Sequence, residues 1–121
     1  MSNKGKNIVE EKSFDFALAI IKEVKNIQNE EREYILTKQL IRSGTSIGAM
    51  VREAEHSESK KDFIHKMMIG LKEANETRYW LELLYKSDYL EEIIFNTLMD
   101  DCTQIIKLLV AIVKSSKASL N

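Results

Sequence analysis

The chain has 121 residues with no proline, four glycines and one cysteine, and its 18 basic residues against 19 acidic ones leave a net charge of −1. This length supports one domain, and the scarcity of proline and glycine excludes a turn-rich β protein in favour of long uninterrupted helices. Near-neutrality excludes a global field for nucleic acid or an anionic membrane, so any such site must be a local stripe. The single Cys102 rules out an internal disulfide and a cysteine-based metal cage. No stretch has the length of a membrane span or the pattern of a secretory leader, so a cytoplasmic protein is expected.

Residues 1–12 are polar and read as a flexible N-terminal segment, ahead of a bundle over residues 13–117. Ser13 reads as the N-cap of a first helix with Phe14, Ala17, Leu18, Ile21 and Val24 on its core face and Phe16, Ile20 and Ile27 beside them. After a break at Asn29-Glu30-Glu31, a second helix is expected from about Arg32 to about His56. It contains Ser43-Gly44-Thr45-Ser46-Ile47-Gly48-Ala49, a run of small residues in phase with Leu40, Ile41 and Val51. Two glycines inside a helix cost about 1 kcal/mol each against alanine, and close approach of another helix backbone would offset that. The alternative is that the glycines end one helix and begin another.

Ser59, with Asp62 three residues later, has the pattern of a capping box and starts a third helix over about Lys60 to Lys86. Ser87-Asp88 interrupts, and a fourth helix runs from about Leu90 to Ser116. Connections this short make consecutive helices antiparallel neighbours, which predicts an all-α, up-down-up-down antiparallel four-helix bundle.

The faces carry more apolar surface than one bundle hides. On the fourth helix Phe95, Leu98, Cys102, Ile105, Leu109 and Ile112 form a seam at steps of three and four, which leaves Ile106, Val110 and Val113 facing outward. On the third, Phe63, Met67, Gly70, Leu71, Ala74, Leu81 and Tyr85 form the core face, and Ile69, Trp80 and Leu83 lie on roughly the other side. Outward apolar residues with a tryptophan among them predict self-association.

Among the polar residues, Arg78 falls within the third helix's apolar face and is expected to form a buried ion pair with Asp101 or with Glu82. Glu53 with His56, and Asp62 with His65, have the carboxylate-to-histidine spacing of di-iron bundles. Both copies flank one connection at the end of the bundle, so no metal site and no cofactor are expected. Arg52 and His56 are one residue short of the Arg…His signature of helical HEPN ribonucleases, and no nucleophile constellation accompanies them, so no enzyme is expected. Lys38, Arg42 and Arg52 on one arc of the second helix, with Lys61 and Lys72 on the third, form a basic stripe that could meet phosphates if repeated around an assembly. The competing reading is a structural scaffold for protein partners that binds no nucleic acid.

Three segments together carry a resemblance. They are Arg42-Ser43-Gly44-Thr45-Ser46-Ile47-Gly48-Ala49-Met50-Val51-Arg52-Glu53-Ala54, then Ser59-Lys60-Lys61-Asp62-Phe63-Ile64-His65-Lys66, then Leu71-Lys72-Glu73-Ala74-Asn75-Glu76-Thr77-Arg78-Tyr79-Trp80-Leu81-Glu82-Leu83-Leu84. The chain resembles the four-helix-bundle proteins of the 23S rRNA intervening-sequence family over nearly its whole length. It departs from them at Met50, where the family usually has Asn. The resemblance implies a cytoplasmic bacterial protein, a ring-shaped homopentamer of up-down bundles, no established enzymatic activity, and RNA or a nucleoprotein as the partner.

Overall fold

A computed structural model describes residues 4–120, with side chains from Ile8 onward. They form four helices, α1 (Lys4–Glu31), α2 (Leu36–Ala54), α3 (Lys60–Lys86) and α4 (Glu92–Ala118). Each helix packs against two others, α1 on α2, α2 on α3, α3 on α4 and α4 back on α1, and the diagonal pairs stay apart. The cross-section is therefore a square.

Contacts along two of the edges show the directions. Gln28 near the end of α1 donates to Thr37 near the start of α2, while Gly48 late in α2 lies on Ser13 early in α1. The Lys60 ammonium at the start of α3 donates to Ser119 beyond the end of α4, while Tyr85 stacks on Phe95 at the other end, with ring centroids 4.2 Å apart. Consecutive helices are antiparallel, as their short connections require.

The small-residue run is continuous helix, with no break at either glycine. A Cβ on Gly44 would meet the Ile20 side chain at 3.1 Å, and one on Gly48 would meet the Ser13 backbone at 3.4 Å. Close approach of α1 is thus what compensates the glycines. On the opposite flank of α2, Ser43 and Thr77 are fully buried, with their hydroxyls 2.9 Å apart. Thr77 also bonds the Glu73 carbonyl at 2.7 Å.

Helix ends follow local chemistry. Arg32 (φ 54°) and Asp88 (φ 67°) are left-handed and end the runs of α1 and α3, a conformation asparagine and aspartate tolerate better than most residues. Helix α2 is capped by Glu33, which is buried and accepts from the Leu36 N–H and, at 3.3 Å, from the Thr37 N–H. The α2 start expected near Arg32 therefore moves to Leu36. Ser59 caps α3 as its spacing predicts: its Oγ accepts from the Asp62 N–H at 3.0 Å, and the Asp62 carboxylate accepts from the Glu58 N–H at 3.2 Å.

Helix α1 corrects the sequence reading most. It is helical from Lys4, so the segment expected to be flexible over 1–12 is helix over its described part; residues 1–3 lie outside the described residues. Ser13 is not a cap: it is fully buried in mid-helix and its Oγ donates to the Glu10 carbonyl at 3.2 Å. The buried stripe is Val9, Phe16, Ile20, Val24 and Ile27, and Phe14 and Leu18 face solvent. Two apolar stripes compete on this helix, and the one that meets the glycines of α2 is the one buried. Val113 is a second correction. Expected to face outward, it is 8% exposed, because the α4 seam ends with a step of four from Leu109 to Val113, and Ile112 is left at its edge.

Candidate nucleic-acid and subunit interfaces

The five candidate cations sit on two adjacent helices, and each is set outward by the buried residue beside it. On α2, Leu40, Ser43, Ile47 and Val51 point inward, so Lys38, Arg42 and Arg52 are exposed. On α3, Ile64, Gly70 and Ala74 point inward, so Lys61 and Lys72 are exposed.

Their charges are not equally available. The Arg42 guanidinium bridges α2 to α3, pairing with Glu73 at 3.2 Å and with Glu76. Glu76 also accepts from the Trp80 indole N–H at 2.9 Å, so the tryptophan is held in the α2–α3 groove and is half-buried. Arg52 lies over the Phe14 ring at 5.6 Å and is 3.9 Å from Glu10. Among the described residues no ion pair of this kind engages Lys38, Lys61 or Lys72. Lys66 beside them pairs with Asp62 at 3.2 Å, and this bond together with the Glu58 N–H holds the Asp62 carboxyl below the usual aspartate range.

The ion pair expected at Arg78 is not formed. Arg78 is half-buried and Glu82 is exposed, and among the described residues no ion pair joins Arg78 to Glu82 or to Asp101. Two facts explain this. Thr77 takes the inward position on α3 and turns Arg78 to the edge. Asp101 sits on the other flank of α4, where with Lys12, Asp15 and Gln104 it lines a cleft of about 220 Å³ between α4 and α1. Between Arg78 and Asp101 lies Cys102, fully buried, whose Sγ donates to the Ala74 carbonyl at 3.3 Å. Burial pushes this thiol up to about 12.

His56 and His65 are exposed at the α2–α3 end. Among the described residues no three His, Cys, Asp or Glu side chains converge as metal ligands would, and no helix is long and apolar enough to cross a membrane. Of the outward apolar residues, Ile69, Trp80, Leu83 and Ile106 are half-buried and Val110 is exposed.

A family model described as 23S rRNA-intervening sequence protein matches residues 5–111. The chain belongs to the 23S rRNA-intervening sequence protein family. A crystal structure of a protein of unknown function from the S23 ribosomal protein family of Bacteroides thetaiotaomicron is 48% identical to it. That match covers 91% of this chain and 98% of the other, with a TM-score of 0.90. No curated protein matches the chain. The family is described by its rRNA context and this relative as of unknown function; neither is described as an enzyme.

In this chain Met50 has a packing role. It is half-buried, with its Cβ 3.7 Å from where a Gly70 side chain would begin, so it closes the α2–α3 seam with apolar contact. Sequence reasoning missed two features of the surface. One is the apolar pair Phe14 and Leu18, whose i, i+4 spacing beside a second apolar stripe was the available signal. The other is the neutralisation of Arg42, which Glu73 and Glu76 on the neighbouring helix bring about and which no local pattern on α2 reveals.

Proposed function

We propose that this protein is a non-enzymatic, cytoplasmic helical module that self-associates, as a pentamer by resemblance, and binds RNA or a nucleoprotein through cations repeated around the assembly. Family membership carries this reading, since the family is named for sequences that interrupt 23S rRNA. Exposed Lys38 on α2 and exposed Lys61 and Lys72 on the neighbouring α3 support it. Arg42 and Arg52 contribute less, because each already holds a carboxylate.

A handful of cations on a nearly neutral chain binds phosphate weakly, so affinity must come from repetition of the stripe. Phosphate neutralisation releases counterions, so binding falls steeply with salt. Contacts of this kind are made to phosphate rather than to base edges, so binding tolerates many structured RNAs.

The test is a salt titration of binding to rRNA fragments and to a random RNA. Lys38→Glu/Lys61→Glu/Lys72→Glu should abolish binding at low salt, with helical content and assembly intact, while Arg42→Gln/Arg52→Gln should weaken it only several-fold. Absence of binding by the wild type at low salt, or equal binding by the lysine variant, favours the scaffold reading, which the paired state of both arginines already supports.

A further inference from the structure

The outer ridge of α3 points away from both neighbouring helices. Lys61, His65, Met68, Lys72, Asn75 and Tyr79 follow one another at steps of four, three, four, three and four, so they share one face of the helix. All are exposed, and Tyr79, at 56%, is the most exposed aromatic residue of α3. The other faces of the helix are occupied. Ile64, Ala74 and Thr77 point into the core, Glu73 and Glu76 meet Arg42 of α2, and Tyr85 lies on Phe95 of α4.

From Lys61 to Tyr79 this ridge carries no acid. The acids of α3 in that span are Asp62, Glu73 and Glu76, and each lies off the ridge with a cation already in place. Lys66 sits on Asp62 at 3.2 Å, and Arg42 on Glu73 at 3.2 Å and on Glu76. Lys61 and Lys72 meet no such partner among the described residues. Tyr79 is held in place beside them. The Trp80 indole N–H donates to Glu76 at 2.9 Å, and the Tyr79 and Trp80 rings meet edge to face, with centroids 5.0 Å apart and planes at 70°. Whichever ring supplies the edge, this contact leaves at least one face of Tyr79 open. Arg42, Glu76, Trp80 and Tyr79 thus form a chain of contacts that fixes an open aromatic face on a ridge of unpaired lysines.

We infer that this ridge takes an unpaired stretch of RNA, one base lying on the Tyr79 ring and nearby phosphates on Lys72 and Lys61. Cations with an aromatic among them suit an unpaired strand: the cations track its phosphates, and its bases, free of partners, lie flat on the ring. Lys72 precedes Tyr79 by seven residues, about 10.5 Å along the helix axis. A strand with its base on Tyr79 therefore brings phosphates beside Lys72 as it runs on towards Lys61. A continuous duplex keeps its base faces inside its own stack and offers the ridge phosphates and sugars only. Every base has such a face, so stacking selects unpaired over paired nucleotides without selecting sequence. The inference rests on the RNA reading above and adds the class of RNA, a loop, bulge or single strand, and the residue that selects it.

The experiment uses the full chain and two labelled probes, an RNA strand without self-complementarity and the same strand annealed to its complement, with affinity read by fluorescence anisotropy at low salt. Tyr79→Ala should weaken binding of the single strand about tenfold and of the duplex by less than about twofold. Tyr79→Phe, which keeps the ring, should match the wild type on both. Salt separates stacking from charge: Tyr79→Ala should keep the wild-type salt dependence, whereas Lys72→Gln should flatten it, since only the lysine displaces counterions. Circular dichroism and light scattering should show the fold and the mass unchanged by Tyr79→Ala. The inference is overturned if Tyr79→Ala holds the single strand as the wild type does, if it loses strand and duplex alike, or if Tyr79→Phe is as weak as Tyr79→Ala. A change of mass in Tyr79→Ala also overturns it, by placing the residue between copies. In all of these cases RNA binding by the wild type survives. A wild type that binds neither probe overturns the RNA reading itself, and this inference with it.

Discussion

Helix α1 meets α2 across glycine and meets α4 across a cleft. On the first edge Ile20 and the Ser13 backbone fill the space that side chains at Gly44 and Gly48 would occupy. On the second edge Lys12 reaches across to Gln104 over 3.4 Å at the rim, and an opening of about 220 Å³ lies beneath. The same helix thus has one neighbour packed against it at contact distance and another that leaves room. Tight edges decide which stripe of a helix becomes core, and α1 buries Ser13 and Ile20 because they face the glycines.

The substitution expected to disturb this contrast most is Gly44→Leu. It has to drive α1 away from α2 or force Ile20 off its rotamer, and overpacking of this kind costs about 3 kcal/mol, measurable as a lower urea midpoint at constant slope. A smaller loss should follow Glu33→Ala, which leaves the first N–H groups of α2 without their buried acceptor. Loss of a helix cap costs about 1 kcal/mol, and amide hydrogen exchange should quicken at Leu36 and Thr37 before it does elsewhere.

Cys102 probes the α3–α4 edge. Its folded value lies above the ordinary 9.0, so the folded state holds the proton more tightly than the unfolded one. The stability this provides is complete below pH 9 and is lost as pH rises towards 12. Wild type should therefore lose stability relative to Cys102→Ala across that window, and show no such relative loss at neutral pH. The smallest effect is expected on the open edge. Exposed Asp15 lines that cleft, and Asp15→Leu should change stability by no more than about 0.5 kcal/mol, because the added bulk enters open space. If Asp15→Leu were as damaging as Gly44→Leu, the contrast between the two edges would fall.

The same contrast explains what could be read from the sequence. Bounds of α3 at Lys60–Lys86 were legible because Ser59 and Asp62, three residues apart, announce the start and Ser87-Asp88 announces the end. The close approach at the small-residue run was legible because glycine inside a helix has few other causes. Less accessible was the start of α1, since polar residues before Ser13 carry no cap signal and are held as helix by packing around Val9. Phase on α1 was unreadable locally: Phe14 and Leu18 make as good a stripe as Phe16 and Ile20 until α2 is placed beside them. In the same way, Arg42 reads as a free cation until α3 brings Glu73 and Glu76 across to it.

The buried Ser43–Thr77 contact fixes how α2 aligns along α3. Sliding α2 along α3 by one turn, about 5.4 Å, would separate these hydroxyls and leave them among apolar side chains. The pair carries no charge, so its hold weakens neither with ionic strength nor with acid. Interior alignment is thereby insulated from the electrostatics outside. Salt strong enough to strip a polyanion from the lysines, or to pull neighbouring copies away from each other, should leave the helical signal of each chain where it was.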